Sequence, residues 1–260
     1  MHYRHAQAKL KYEGNVFETK FGNSFIVTKY VNRGEIHIKF LDTGYETTTD
    51  RANIARGSIR DRLTPSAFGV GIIGTEVSRV NGILEREAIL WRSMLQRCYS
   101  EKSQARRQTY KDCTVSDNFK YYPYFKDWCN NQIGFSSFDT NGNPFELDKD
   151  ILVKGNKVYS EDTCSFIPPE INKLLIKCNA SRGDTPIGVH YSKTKKNFQV
   201  GCHINGKLIH LGYYTCPKLA FLAYKEAKET NIKDVANKWK DKIDPRVYEA
   251  LINWKVEIDD

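Results

Sequence analysis

Between residues 184 and 229 the chain leaves little choice of fold. Three short runs, GVHYSKTK, NFQVGCHI and KLIHLGYY, alternate apolar and polar side chains with the period of two that a half-buried strand requires. Asn205-Gly206 separates the last two runs, a pair that suits a tight hairpin because both central positions need positive φ. A helix follows. Thr215 can cap it, Pro217 suits its first turn, and Ala220, Ala223, Tyr224 and Ala227 fall at i, i+3, i+4 and i+7. Such a narrow stripe of small residues can lie close against a sheet. In the middle strand Phe198, Val200, Cys202 and Ile204 alternate with Asn197, Gln199 and His203, so the apolar set suits the helix. The other face then presents amides and an imidazole, supplemented by Lys193, Lys195, Lys196, Lys207 and His210. A sheet this narrow can enter a DNA major groove, where Gln and Asn read adenine edges and Lys holds phosphate or guanine. A solvated polar face is the plainer alternative.

The remaining chain divides by character. Residues 22–60 read as a small β unit of three or four short strands (domain 1–65) that suggests a small barrel. SFIVTKY turns at NRG into EIHIKFL, which sets Ile36, Ile38 and Phe40 on one face. GYETTTD is rich in β-branched residues, and NIARGSI offers a fourth strand. Residues 61–83 concentrate Gly, Pro and Ser and mark a boundary. In 84–180, Leu84, Ala88, Trp91, Met94, Leu95 and Cys98 recur at helical spacing, with Arg86, Arg92 and Arg97 elsewhere on the surface. A second helix near Pro123 buries Phe125, Trp128 and Cys129, and PPEINKLL reads as a short helix. Residues 230–260 read as a helical extension: a helix near 232–243, a break at Asp244-Pro245, and a last helix through Trp254.

The formal charge of +9 and pI near 9.1 favour polyanionic partners, nucleic acid first. Basic residues cluster at 86–111 and 193–207 among aromatics and turn residues. No apolar run approaches the ~18–20 residues that cross a bilayer, and the N-terminus lacks the apolar stretch of a signal peptide. The expectation is a cytosolic protein, in the host cytosol if phage-encoded, with no membrane partner. Seven cysteines form no CxxC pair and lie at least 14 residues apart. Zinc ligands usually sit a few residues apart, so no zinc is expected and the thiols read as reduced, mostly buried residues.

Residues 145–172, FELDKDILVKGNKVYSEDTCSFIPPEIN, pose a chemical question. Asp148 and Asp150 stand at i and i+2, which puts them on one face of a regular strand, where Glu146 would join them. A Lys/Gly/Asn loop carries Asn156, and YSED looks like a helix start. Carboxylates with Asn156 could hold one Mg²⁺, which acidifies bound water and lessens the need for a base. Alternatively, the two aspartates pin the hairpin through backbone hydrogen bonds. No histidine lies between Ile38 and Val189. An aspartate, with an ordinary pKa near ~3.9, is a weak base at neutral pH. His37, His190, His203 and His210 are the imidazoles a site could import, each read first as a surface or DNA-contact residue.

Two resemblances follow from these residues. IGVHYSKTKKNFQVGCHINGKLIHLGYYTCPKLAFLAYKEAKE resembles the Apetala-type (ethylene-response-factor) DNA-binding domain over some 43 residues. Gly188-Val189, Leu211-Gly212-Tyr213, Ala220, Ala223 and Tyr224 carry the match, which implies major-groove binding through the sheet. The arginines and tryptophans that many plant members place on those strands are missing. Residues 91–172 resemble HNH-like phage proteins of the homing-nuclease type, to which such a domain is often attached. The resemblance places Asp148 where the general base stands, Asp150 at a second polar position, and Tyr159 and Thr163 where helix ligands would be.

Together these readings predict a multidomain α+β protein: an N-terminal β barrel-like unit, a central ββα HNH-like region and a C-terminal three-stranded sheet plus helix. They predict double-stranded DNA binding of phage or mobile-element type. If the chain cuts, the reaction is Mg²⁺-assisted phosphodiester hydrolysis with catalytic Asp148, Asp150 and Asn156, Asp148 and Asp150 on the metal, and Arg92, Arg97, Arg106 and Arg107 holding the backbone. The rivals are a non-catalytic DNA-binding regulator, a phage inhibitor that binds a host defence protein, and an RNA ligand in place of DNA.

Overall fold

The computed structural model describes residues 2–176 and 185–258. Helices and strands mix in the expected α+β manner, and the chain divides into two compact units, Met1–Lys126 and Asp127–Asp260.

The first unit opens with α1 (His2–Tyr12), four strands β1 (Val16–Glu18), β2 (Ser24–Asn32), β3 (Glu35–Phe40) and β4 (Glu46–Thr49), and α2 (Arg51–Arg56). The strands form an antiparallel meander in the order β1-β2-β3-β4, so β1 and β4 are edges and the sheet does not close into the expected barrel. Phe25, Val27, Ile36, Ile38 and Phe40 pack beneath Tyr12 of α1 and Ile54 of α2. The predicted strand NIARGSI is instead the second helix. Asp50 caps it by accepting from the Asn53 N–H at 2.7 Å, and Gly57 ends it at a φ of +58°. Those cap signals outweigh β-branched content in so short a segment.

Residues 79–84 then form a tight hairpin, β5 (Arg79–Val80) and β6 (Ile83–Leu84), followed by α3 (Arg86–Tyr99) and α4 (Glu101–Arg106). Leu84 therefore lies on a strand, not on the helix. Ala88, Trp91, Met94, Leu95 and Cys98 are buried along α3 as their spacing predicts. Gly71 is held close to this face, since a Cβ there would meet Leu95 at 2.5 Å and Trp91 at 2.8 Å. Trp91 Nε1 donates to the Phe119 carbonyl at 2.8 Å. After β7 (Thr114–Val115) and α5 (Asp117–Lys120), α6 (Tyr122–Asn130) begins one residue before Pro123, and the division between units falls within it.

In the second unit β8 (Glu146–Asp148) and β9 (Val158–Tyr159) precede β10 (Ser165–Ile167), which pairs antiparallel with β8, and α7 (Pro169–Leu174). YSED is not a helix start: Glu161–Thr163 form a turn that leads into β10, and the helix begins only at Pro169. The strand intervenes because Ser165, Phe166 and Ile167 are all buried, with Phe166 against Trp128 and Phe135.

The C-terminal sheet follows the sequence closely. β11 (Val189–Ser192), β12 (Asn197–Ile204) and β13 (Lys207–Tyr214) form an antiparallel sheet in the order β11-β12-β13. Asn205 and Gly206 make the turn at φ +50° and +75°. Helix α8 (Pro217–Trp239) packs on the sheet through buried Ala220, Phe221 and Tyr224. Its N-cap is Cys216, one residue later than the predicted Thr215, because Pro217 takes the first helical position. The predicted separate helix near 232–243 is its continuation. No Gly or Pro interrupts 218–244, and the buried Asn231 donates to the His203 carbonyl at 3.4 Å. At the far end of α8, Trp239 packs edge-on against Phe145 and donates to Glu170 of α7 at 2.7 Å. α9 (Pro245–Ile252) closes the unit, capped by Asp244, and stops two residues before Trp254.

Candidate nucleic-acid interface

The C-terminal sheet has two chemically distinct faces. Val200 and Cys202 of β12 are buried on the side that meets α8. Directly paired residues share a face, and His190 pairs with Gln199, which in turn pairs with Tyr213. His190, Gln199 and Tyr213 thus form one row across all three strands on the face away from the helix. His210 joins them, its Nδ1 3.5 Å from Gln199 Nε2 and its ring T-shaped against Tyr213 at 4.8 Å. His203 extends the same face, opposite Leu208.

A bulge produces this grouping. The register steps from Val200–Gly212 to Gly201–His210, leaving Leu211 as the extra residue on β13. Without it, His210 and Tyr213, three residues apart, would point to opposite faces. Gly212 sits at φ +126°, a conformation that favours glycine. Sequence reading therefore finds Gln199, His203 and His210, and His190 as a surface or DNA-contact residue, but misses Tyr213. The Leu-Gly pair inside an otherwise regular strand was the available signal.

Cations stand at both ends of the sheet. Lys193, Lys195 and Lys196 occupy the β11–β12 turn, where the Lys195 N–H donates to Ser192 Oγ and Lys196 takes a left-handed φ of +52°. Lys207 opens β13 at the opposite turn but pairs with Ile204, so it has the parity of the helix-packed face and not of the polar face on which the sequence placed it. All four are exposed.

The predicted catalytic hairpin is arranged differently from a carboxylate cluster. β8 ends at Asp148, so Asp150 lies in the following bend and not on the strand face that Asp148 and Glu146 share. Asp148 Oδ1 accepts from the backbone N–H groups of Asp150 and Ile151, both at 2.8 Å. Burial pushes the Asp148 carboxyl above its ordinary range, and those two N–H groups offset part of the rise. Asp150 is half-exposed and pairs with the Lys149 ammonium. Lys149, only 6% exposed, also donates to the Asn156 carbonyl at 2.9 Å and lies 5.7 Å from the Tyr159 ring centre. Asn156 Nδ2 closes the loop by donating to the carbonyls of Lys149 at 2.8 Å and Val158 at 2.6 Å.

This donor set fits a divalent cation poorly. The ammonium already neutralises Asp150, and a cation there would have to displace a nearly buried positive charge. Asn156 is committed to backbone. Among the described residues, no group of three or more His, Cys, Asp or Glu side chains is placed to hold an ion. Tyr159 lies on β9 and Thr163 in the turn, where its hydroxyl donates to the Val158 carbonyl at 2.8 Å, so neither occupies a helix. Lys149 escaped sequence reasoning because it sits between two acids.

The four arginines expected at the DNA backbone do not act as one group. Arg97, Arg106 and Arg107 line a common groove where α3 meets α4, whereas Arg92 is exposed on α3 outside it. Of the cysteines, 98, 113, 129, 164 and 202 are buried and unbridged and Cys216 is half-buried, while Cys178 lies outside the described residues. No helix among them is long and apolar enough to cross a membrane. Compared with family models, curated proteins and solved structures, the chain matches none.

Proposed function

We propose that the chain is a double-stranded DNA-binding protein of phage or mobile-element type, whose C-terminal sheet lies in the major groove as an Apetala-like module. The observation that carries this reading is the row His190–Gln199–Tyr213, joined by His210, with the lysine-rich β11–β12 turn at one end. Three strands about 4.8 Å apart give a sheet roughly 10 Å wide between its outer strands, against a major groove of about 12 Å. Gln199 stands on the central strand, where it reaches furthest towards base edges and can bond an adenine through two atoms. The lysines at that turn meet phosphates.

In this reading the HNH-like hairpin is retained as a fold element. Asp148 organises the turn, and Lys149 and Asn156 tie the loop. A second reading keeps it as a nuclease site. The observation favouring it is the half-buried Asp148, whose raised carboxyl is a better base than a solvated aspartate.

One set of assays tests both. Duplex binding is measured by fluorescence anisotropy against a sequence library, and supercoiled plasmid is incubated with Mg²⁺, Mn²⁺ or EDTA. Sequence-dependent binding that Gln199→Ala weakens by about 5–150-fold at the preferred site, the loss of one bidentate base contact, supports the main reading. No duplex binding at low salt overturns it. Metal-dependent nicking lost in Asp148→Ala establishes the second reading.

A further inference from the structure

The first unit carries a polar groove that the sheet-based reading does not use. Along α3, the spacing that buries Ala88, Trp91, Leu95 and Cys98 turns Ser93, Gln96, Arg97 and Ser100 to another side, at i, i+3, i+4 and i+7. Ser100 ends α3 and starts α4, with its hydroxyl oxygen accepting from the Ser103 N–H at 3.4 Å. Gln104 Nε2 donates to the Cys98 carbonyl at 2.5 Å and fastens α4 to the end of α3. The corner encloses a groove of about 480 Å³ whose lining includes Arg97, Lys102, Arg106 and Arg107 and no acidic residue. Arg97 is half-buried, with its guanidinium 5.6 Å from the Tyr110 ring centre, while Lys102, Arg106 and Arg107 are exposed.

Four cations on one small concave wall repel one another, and an anion in the groove would remove that cost. The other polar lining groups are serine hydroxyls and the Gln96 amide, which donate readily to phosphate oxygens. Arginine adds a planar fork suited to two such oxygens at once. We infer that this groove is a second nucleic-acid site, one that grips the phosphodiester backbone without reading sequence. The inference rests on the DNA-binding reading above and assigns it a separate, sequence-blind grip. Lys102 and the serines belong to this grip, and Arg92 does not.

The full-length chain is tested with fluorescent duplexes of one length and differing sequence, at about 50–200 mM salt. Each phosphate contact removed lowers the slope of log affinity against log salt by about 0.9. Arg106→Ala/Arg107→Ala should weaken every duplex by the same factor and lower the slope by about 2, so that the variant loses roughly tenfold less affinity than the parent across that salt range. Arg106→Lys/Arg107→Lys, which keeps the charge, should retain the slope. Arg92→Ala should leave it unchanged. An unchanged slope and affinity in the double alanine variant, with Gln199→Ala still altering sequence preference, overturns the groove alone. A lowered slope with Gln199→Ala silent overturns base reading by the sheet and leaves the groove. Failure of the parent to bind any duplex at the lowest salt overturns both.

Discussion

Gly188 is the position where a single methyl group tests how the C-terminal sheet is held. It precedes β11 at φ +74°, and a Cβ there would overlap Cγ, Cδ2 and Cε2 of Tyr224 on α8. Gly188→Ala therefore carries two costs. A left-handed conformation costs a non-glycine residue about 1–2 kcal/mol. Forcing a methyl group into a packed ring costs a further ~1–3 kcal/mol. The expected loss is about 2–5 kcal/mol. With a urea slope of roughly 2 kcal/mol/M, the midpoint of the second unit falls by about 1–2.5 M. Trp239 fluorescence follows that unit, because Trp239 is buried on the same helix. The decisive comparison is Gly188→Ala in a Tyr224→Ala background. With the ring gone, only the backbone cost remains, so the methyl group should cost about 1–2 kcal/mol there. If the two substitutions add to within about 0.5 kcal/mol, the ring is not what excludes a side chain at 188, and the packing argument fails.

Three further outcomes follow from the geometry. Asp148→Ala leaves the N–H groups of Asp150 and Ile151 without their acceptor and should lower stability by about 1–3 kcal/mol in thermal melts, whereas Asp148→Asn, which keeps a carbonyl oxygen, should cost less. Burial pushes the Asp244 carboxyl up, but its hydrogen bonds and ion pair with Arg246 outweigh that and hold it below the ordinary range. Its stabilisation is thus complete above a pH of about 4 and lost as pH falls through the depressed value. Arg246→Ala should accordingly cost about 1 kcal/mol in urea titrations at pH 7, a figure kept small by the half-exposed guanidinium, and progressively less as the pH falls through the depressed value. Lys196→Gly relieves a left-handed lysine and should stabilise by about 0.5–1 kcal/mol, raising the melting temperature. If Lys196 meets phosphate, the same change lowers the salt slope of duplex binding by about 0.9.

What could be read from sequence was local. Strand alternation and Asn205-Gly206 placed β11–β13, and the period of α3 named its buried face, because a period of two or 3.6 needs only neighbours to express itself. The failures came from competition between signals or from distance. NIARGSI is β-branched enough for a strand, yet Asp50 and Gly57 cap it as a helix. The sequence predicts a separate helix near 232–243, yet α8 runs through without a break and Asn231 bonds the His203 carbonyl 28 residues away. YSED resembles a helix start, but buried Ser165–Ile167 take the next residues into a strand. At the candidate interface, the sequence placed Gln199, His203 and His210 on the polar face but lost Tyr213 at one inserted residue.

That residue, Leu211, shows why the chemistry of the sheet depends on its backbone. A regular β13 would place His210 with Leu208 on the outer face and turn Tyr213 towards α8. The bulge switches parity between them, so an imidazole, an amide and a phenol from separate strands share one surface. Gly212 permits the switch, and Gly188 lets α8 seat beneath it. Gly188, Gly212 and the small residues of α8 thus fix the platform, whereas that packing does not constrain Gln199, His210 and His190 on its outer face. Arginines and tryptophans can be absent from these strands without loss of the fold. On the DNA-binding proposal, sequence preference therefore comes from the side chains on the outer face of the sheet and not from the residues that hold it in place.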